Sequence, residues 1–329
     1  MLFNGLTKFQ LGPRSENVGA LIMDDCHACT ESIRSACTIR LSRDNPAYDQ
    51  LLQLFSTALE TQGVGSFADI KMAKSEAILP VPYWEWARKT TEVASILAKR
   101  GEDKEVLYTW PLLKDILGHC FCVVSGTSLE ISPYLAPLDV FGSYHRAEHR
   151  VFMSATVTDD SFLVKGLRLS PETVMYPITY PHEQWSGEKM VLIPSLIDKS
   201  LDRSTIRDFF ATRVPRRKYG VVILCSSFKM ADSWGEKGVP ISKKDTIGAD
   251  IARLRSGDGE APLVFANRYD GTDLPDDTCR ILVLDGRPYA ENLIERYAEE
   301  CRAGSASTFA RIPVSAMNER RSHWRAFQC

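Results

Sequence analysis

The sequence predicts two parallel-sheet α/β domains. Three observations lead there. Short apolar runs alternate with stretches of helical periodicity in both halves of the chain. The runs Val18–Met23 and Arg150–Met153 stop abruptly in Asp-Asp and Ser-Ala-Thr, as buried strands do when functional groups sit at their carboxyl ends. Between the halves, Gly166–Lys189 carries Pro171, Pro177 and Pro181 with little periodicity and reads as a crossover.

In chain order, Val18–Met23 is the first strand and Cys37–Leu41 a second. Asn45-Pro46 opens a helix, because Leu51, Leu52, Leu54, Phe55 and Leu59 recur at helical spacing through Glu60; Gly63-Val64-Gly65 should end it. Pro80, Pro82 and the aromatics Tyr83, Trp84 and Trp86 mark a turn into a helix over Trp86–Lys99, and Trp110–Leu117 is a further helix. Cys120–Val124 and Arg150–Met153 are strand-like. The second block repeats the alternation. Gly220–Leu224, Pro262–Ala266 and Arg280–Leu284 are strands; Ser227–Trp234, Ile247–Arg255 and Tyr289–Ala303 are helices. The expected division is 1–165 with a helical insertion at about 66–118, a crossover at 166–214, and 215–329.

The 329 residues are enough for two domains, with an apolar fraction of 44% and a charged fraction of 25%, as in soluble globular proteins. A formal net charge of −2 offers no global basic field and argues against a histone-like binder, while leaving room for a local basic lining. No apolar run is long enough to span a bilayer, so no membrane partner is expected. Nine irregularly spaced cysteines fit a reduced, cytoplasmic setting with no disulfide-linked partner. Cys26-x-x-Cys29 has zinc spacing, but Cys120-x-Cys122 is a poor second half, and buried thiols are the ordinary explanation.

Chemistry gathers in three segments: LIMDDCH at Leu21–His27, HRVFMSATVTDDS at His149–Ser161, and NRYDGTDLPDDTCRILVLDGRPY at Asn267–Tyr289. Two adjacent carboxylates at the end of a buried strand repel each other and need a counter-charge; a phosphate-bound magnesium ion is a common one. In this order and separation the three segments resemble a superfamily 2 DEAD/DEAH-box helicase, particularly a bacterial subgroup with D-D-x-H in place of D-E-x-H. The resemblance covers nearly the whole chain. It implies two RecA-like parallel-sheet lobes, both incomplete here, with ATP and Mg2+ as cofactors and nucleic acid, DNA or RNA, as partner.

Residue by residue, the resemblance implies Asp24 as the magnesium ligand and Asp25 as the group that positions water. His27 would link the nucleotide site to Ser154 and Thr156, which couple hydrolysis to movement along nucleic acid. It places Gly271 and Asp273 at the nucleotide and Gly271, Thr272, Ser226 and Ser227 at the nucleic-acid backbone. Simpler readings stand beside these. Asp24 and Asp25 can cap a turn, Ser-Ala-Thr can cap a helix, DGTDLPDD is an Asx-rich turn lacking the far glutamate of a calcium loop, and CSSF can be a plain strand–helix joint.

Two further patterns have competing explanations. His145-x-x-Glu-His149 has inverted-zincin spacing, but a strand follows at once and leaves no room for a helix. The aromatic patch Tyr83-Trp84-Glu85-Trp86 either stacks on single-stranded bases or lies buried beneath an insertion, the latter being the commoner explanation. The family's phosphate loop, G-x-x-x-x-G-K-[ST], has no match in the 329 residues, nor does its closing glycine–arginine motif. The expectation is therefore a truncated, catalytically incompetent helicase, with a non-catalytic binding module derived from one as the alternative and a zinc enzyme as a third class. The interrupted first sheet should leave apolar surface and strand edges exposed.

Overall fold

The computed structural model describes residues 9–24, 26–153, 162–178, 190–266, 274–286 and 292–302. The chain divides into two compact units, Met1–Pro177 with Ala290–Ile312, and Ile178–Tyr289 with Pro313–Cys329. The fold is mixed α/β with two parallel sheets, as expected, but an antiparallel sheet is inserted along the chain between the two strands of the first.

The first unit opens with β1 (Ala20–Met23), then α1 (Cys26–Ala36) and β2 (Ile39–Ser42). Asn45 caps α2 (Pro46–Leu54): its Oδ1 accepts the Ala47 N–H at 2.9 Å, and Pro46 supplies the pre-set first turn. The predicted continuous helix breaks at Phe55 into α3 (Ser56–Gln62). Gly63 closes α3 in extended backbone, and α4 (Val64–Lys71) starts at once, where the sequence predicted an end. Next come β3 (Ile78–Pro80), α5 (Tyr83–Arg88), α6 (Thr90–Ala98), α7 (Lys104–Leu107) and α8 (Trp110–Leu113). β4 (Cys120–Ser125) and β5 (Ser128–Pro133) follow, then α9 (Gly142–His145), β6 (His149–Phe152) and α10 (Pro171–Met175).

Strands β2, β5, β4 and β3, in that order, make the antiparallel sheet. The sequence reading expected two of these strands, at Cys37–Leu41 and Cys120–Val124, and missed β3 and β5. One face of this sheet joins the main core through Ile39, Leu41, Cys120, Cys122, Val124, Leu129 and Ile131, under α2 to α8. Two aromatics anchor that core by their polar tips: Trp86 Nε1 donates to Leu117 O at 2.7 Å, and Tyr48 Oη to Ser125 O at 2.6 Å. Trp86 is buried, whereas Tyr83 and Trp84 are exposed, so burial explains only one of the three aromatics.

The second unit begins with α11 (Pro194–Ile197) and α12 (Arg203–Ala211), then β7 (Val221–Cys225), α13 (Phe228–Gly235), α14 (Ile247–Arg255), β8 (Leu263–Ala266) and β9 (Ile281–Asp285). β7 lies between β8 and β9, parallel to both. Every residue of β7 is buried. Val222 and Leu224 pack with α14 on one face, while Ile223 and Cys225 pack with α12 and α13 on the other. Cover on both faces is what a parallel sheet requires, and it explains the unbroken apolar run.

The chain then returns to the first unit as α15 (Leu293–Arg302), shorter at its start than the predicted helix. Leu293, Ile294 and Tyr297 cover Ile78, Val123 and Phe121 on the outer face of the antiparallel sheet. The buried Glu130 of β5 fixes the helix start. Its carboxylate accepts the Ile294 N–H at 3.3 Å and Arg40 Nε at 3.1 Å, so the acid faces a helix N-terminus and a cation together.

Candidate functional site: the strand carboxyl ends

In the first unit, β1 and β6 pair in parallel with Ala20 opposite His149 and Met23 opposite Phe152. The ladder continues past both strands: Met153 N–H donates to Met23 O at 2.9 Å, and Cys26 N–H donates to Met153 O at 3.0 Å. Asp24 and Met153, at the carboxyl ends of β1 and β6, therefore leave the sheet side by side. α1 begins immediately after the aspartates, so its N-terminal N–H groups and dipole lie at the same turn. Asp24 is exposed, and its backbone carbonyl accepts from Cys29 Sγ at 3.6 Å.

His27 lies in the first turn of α1, with its side chain undescribed; Asp25, Ser154, Thr156, Gly271, Thr272 and Asp273 lie outside the described residues. The brought-together set is thus Asp24, the α1 N-terminus and Met153. Magnesium takes one or two protein carboxylates and keeps several waters, and an exposed Asp24 suits that role. No phosphate-binding loop accompanies it in the sequence. Among the described residues, no three His, Cys, Asp or Glu side chains gather to hold a metal. His145 ends a single helical turn and His149 opens a strand, so that pair cannot share a helix face.

In the second unit, Ser226 and Ser227 follow β7. Ser227 Oγ accepts the Met230 N–H at 3.3 Å and caps α13, while Ser226 Oγ lies 3.0 Å from Met230 Sδ. Gly286, beyond β9, has φ +96°, and a Cβ there would collide with Met230 Cε. These contacts hold the β7 and β9 ends close around the α13 start. Both serines do local work there, as a plain strand–helix joint would have them do.

Sequence reading missed Asp285, the last residue of β9. It is buried and accepts Arg203 Nε at 2.6 Å and Trp234 Nε1 at 2.6 Å, with Arg207 Nη2 at 3.7 Å. Arg207 lies over the Trp234 ring, 5.8 Å from its centroid. The signal was present: RILVLD ends an apolar strand in an acid, as LIMD does. Burial pushes the neighbouring Cys225 thiol up to about 12, with Asp285 adding to the shift, so Cys225 stays a neutral thiol.

Among the described residues, no helix is long and apolar enough to cross a membrane. No protein-family model matches the chain. No curated protein matches it either. Among solved structures, one described as "Structure of S. tokodaii Xpd4" is 13% identical, with 100% of this chain and 74% of that one covered and a TM-score of 0.46. Two more, "XPD_Helicase" and "XPD_APO", are 11% and 12% identical with TM-scores of 0.40 each. Both matches cover 92% of this chain; they span 62% and 69% of those chains. At such scores the likeness carries no conclusion about activity.

Proposed function

We propose that this chain is a nucleic-acid-binding protein of the DEAD/DEAH-box helicase kind. Its intact relatives would use ATP and Mg2+ to move along or separate strands of DNA or RNA. The observation that supports this most is the β1–β6 register, which sets Asp24 and Met153, the sequence neighbours of Asp25 and Ser154, at adjacent strand ends beside a helix N-terminus. Asp24 is assigned to the metal, Asp25 to the attacking water, and His27 to the link with Ser154 and Thr156. Gly271 and Asp273 are assigned to the nucleotide; Gly271, Thr272, Ser226 and Ser227 to the nucleic-acid backbone. Bound Mg–ATP would supply the phosphoryl chemistry; Asp24 and Asp25 would hold the ion and orient water.

A second reading, a non-catalytic module that binds nucleic acid without turnover, is favoured for these 329 residues because they hold no G-x-x-x-x-G-K-[ST]. One set of measurements on the whole chain tests both. Mg–ATP in large excess over its Kd should raise the melting temperature by several degrees, and Asp24→Asn should remove that rise. ATP hydrolysis should be absent with or without nucleic acid. Turnover stimulated by nucleic acid and abolished by Asp25→Ala would reject the non-catalytic reading. Absence of both nucleotide stabilisation and nucleic-acid binding would reject the helicase kinship.

A further inference from the structure

The loop TRVPRRKYG, Thr212–Gly220, joins α12 to β7 at the amino end of β7, the end opposite Ser226 and Ser227. We propose that this loop is a separate contact for the phosphate backbone of nucleic acid, made by Arg213, Arg216 and Lys218. The inference rests on the nucleic-acid reading above and adds a site to it.

The loop is braced along its length. Val214 N–H donates to Glu260 O at 3.1 Å, Gly259 N–H to Arg217 O at 3.2 Å, and Gly220 N–H to Asp277 O at 2.8 Å. Gly259 lies so close to Tyr219 O, and Gly220 to Thr278 O, that any side chain there would collide with backbone. Arg217 is itself part of the brace: its guanidinium donates to the carbonyls of Gly259 and Glu260 and lies near the Tyr219 ring.

The remaining cations have no such task. Arg213, Arg216 and Lys218 are exposed, and among the described residues none forms an ion pair. The acids nearby are engaged elsewhere. Glu260 Oε1 accepts the Arg216 backbone N–H at 2.9 Å, Asp258 faces Arg253 at 3.8 Å, and Asp277 faces Arg280 at 2.9 Å. A chain of net charge −2 thus presents three cations within six residues on a fixed loop. Arginine forks bind phosphate in two-point fashion, and a pre-ordered loop loses little entropy on binding. A phosphate backbone needs only such cations, whereas an acidic protein surface would also want a buried apolar anchor.

The test is fluorescence anisotropy of the full chain with a labelled single-stranded DNA oligomer across a salt series. The comparison is R213Q/R216Q/K218Q, whose altered side chains are exposed and form no ion pair among the described residues; an unchanged melting temperature verifies that it folds. Three phosphate contacts on a single strand imply that the slope of log K against log[salt] falls in magnitude by about 2 in the variant. The affinity at low salt should fall more than tenfold. Equal slopes and affinities would overturn the loop site while leaving nucleic-acid binding intact. A variant that loses affinity for polyglutamate but not for DNA would overturn it in favour of an acidic protein partner. No binding of the unaltered chain to this DNA oligomer or to an RNA oligomer of the same sequence would overturn this inference and the nucleic-acid-binding part of the proposed function together. Loss of binding in S226A/S227A but not in the loop variant would leave the proposed function standing alone.

Discussion

Asp285 shows how one carboxylate can organise the end of a sheet. It joins β9 to α12 through Arg203 and to α13 through Trp234, with both short contacts at 2.6 Å. Asp285→Ala would leave the buried Trp234 N–H without its acceptor, a loss of about 1–3 kcal/mol, with a further loss because Arg207 is only 18% exposed. The second unit should unfold at lower urea, followed by Trp234 fluorescence; an unchanged midpoint would mean the pair contributes nothing. Asp24 and Asp285 occupy the same sequence context, an acid closing an apolar strand. One was legible because a motif surrounded it, and the other went unnoticed because its partners, Arg203 and Trp234, lie 82 and 51 residues away in sequence.

The near-continuous apolar strands were the easiest elements to read. β7 and β8, buried throughout, and β9, half-buried, have observed limits within a residue of the expected ones at either end. β5 was opaque because Glu130 interrupts its apolar pattern, and only folding brings it Arg40 and the start of α15. Its partner β4 carries Cys120 and Cys122 into the same core that buries Cys37. Burial pushes the Cys37 and Cys120 thiols up to about 12 and the Cys122 thiol well above its ordinary value of 9.0. The folded chain therefore keeps protons that the unfolded chain releases above about pH 9. Their contribution is fully present below that pH and is lost as pH rises toward 12. Urea midpoints should fall between about pH 8 and about pH 10.5, less so in Cys37→Ala; parallel profiles would refute the assignment.

The two parallel sheets differ in cover. In the β7–β9 sheet the strands β7 and β8 are packed on both faces, whereas β1–β6 packs Leu21, Met23 and Phe152 inward and leaves Ile22 71%, Val151 49% and Met153 42% exposed on the other face. The exposed apolar face predicted from the interrupted motif pattern is thus present. A bare two-stranded parallel sheet is an association hazard. Light scattering of the chain should rise with protein concentration, and I22K/V151K should suppress that rise without lowering the melting temperature; a monodisperse unaltered chain would contradict this. The sequence by itself determined the alternating α/β plan, most strand positions, and the order of the Asp-Asp, Ser-Ala-Thr and Gly-Thr-Asp segments, because those features are local patterns of polarity. Tertiary structure decided the rest: the antiparallel sheet inserted between β1 and β6, the return of α15 onto that sheet, the burial of Glu130 and Asp285, and the braced basic loop before β7. Each of these depends on residues far apart in the chain meeting in space, where a charge is tolerated only once its partner has arrived.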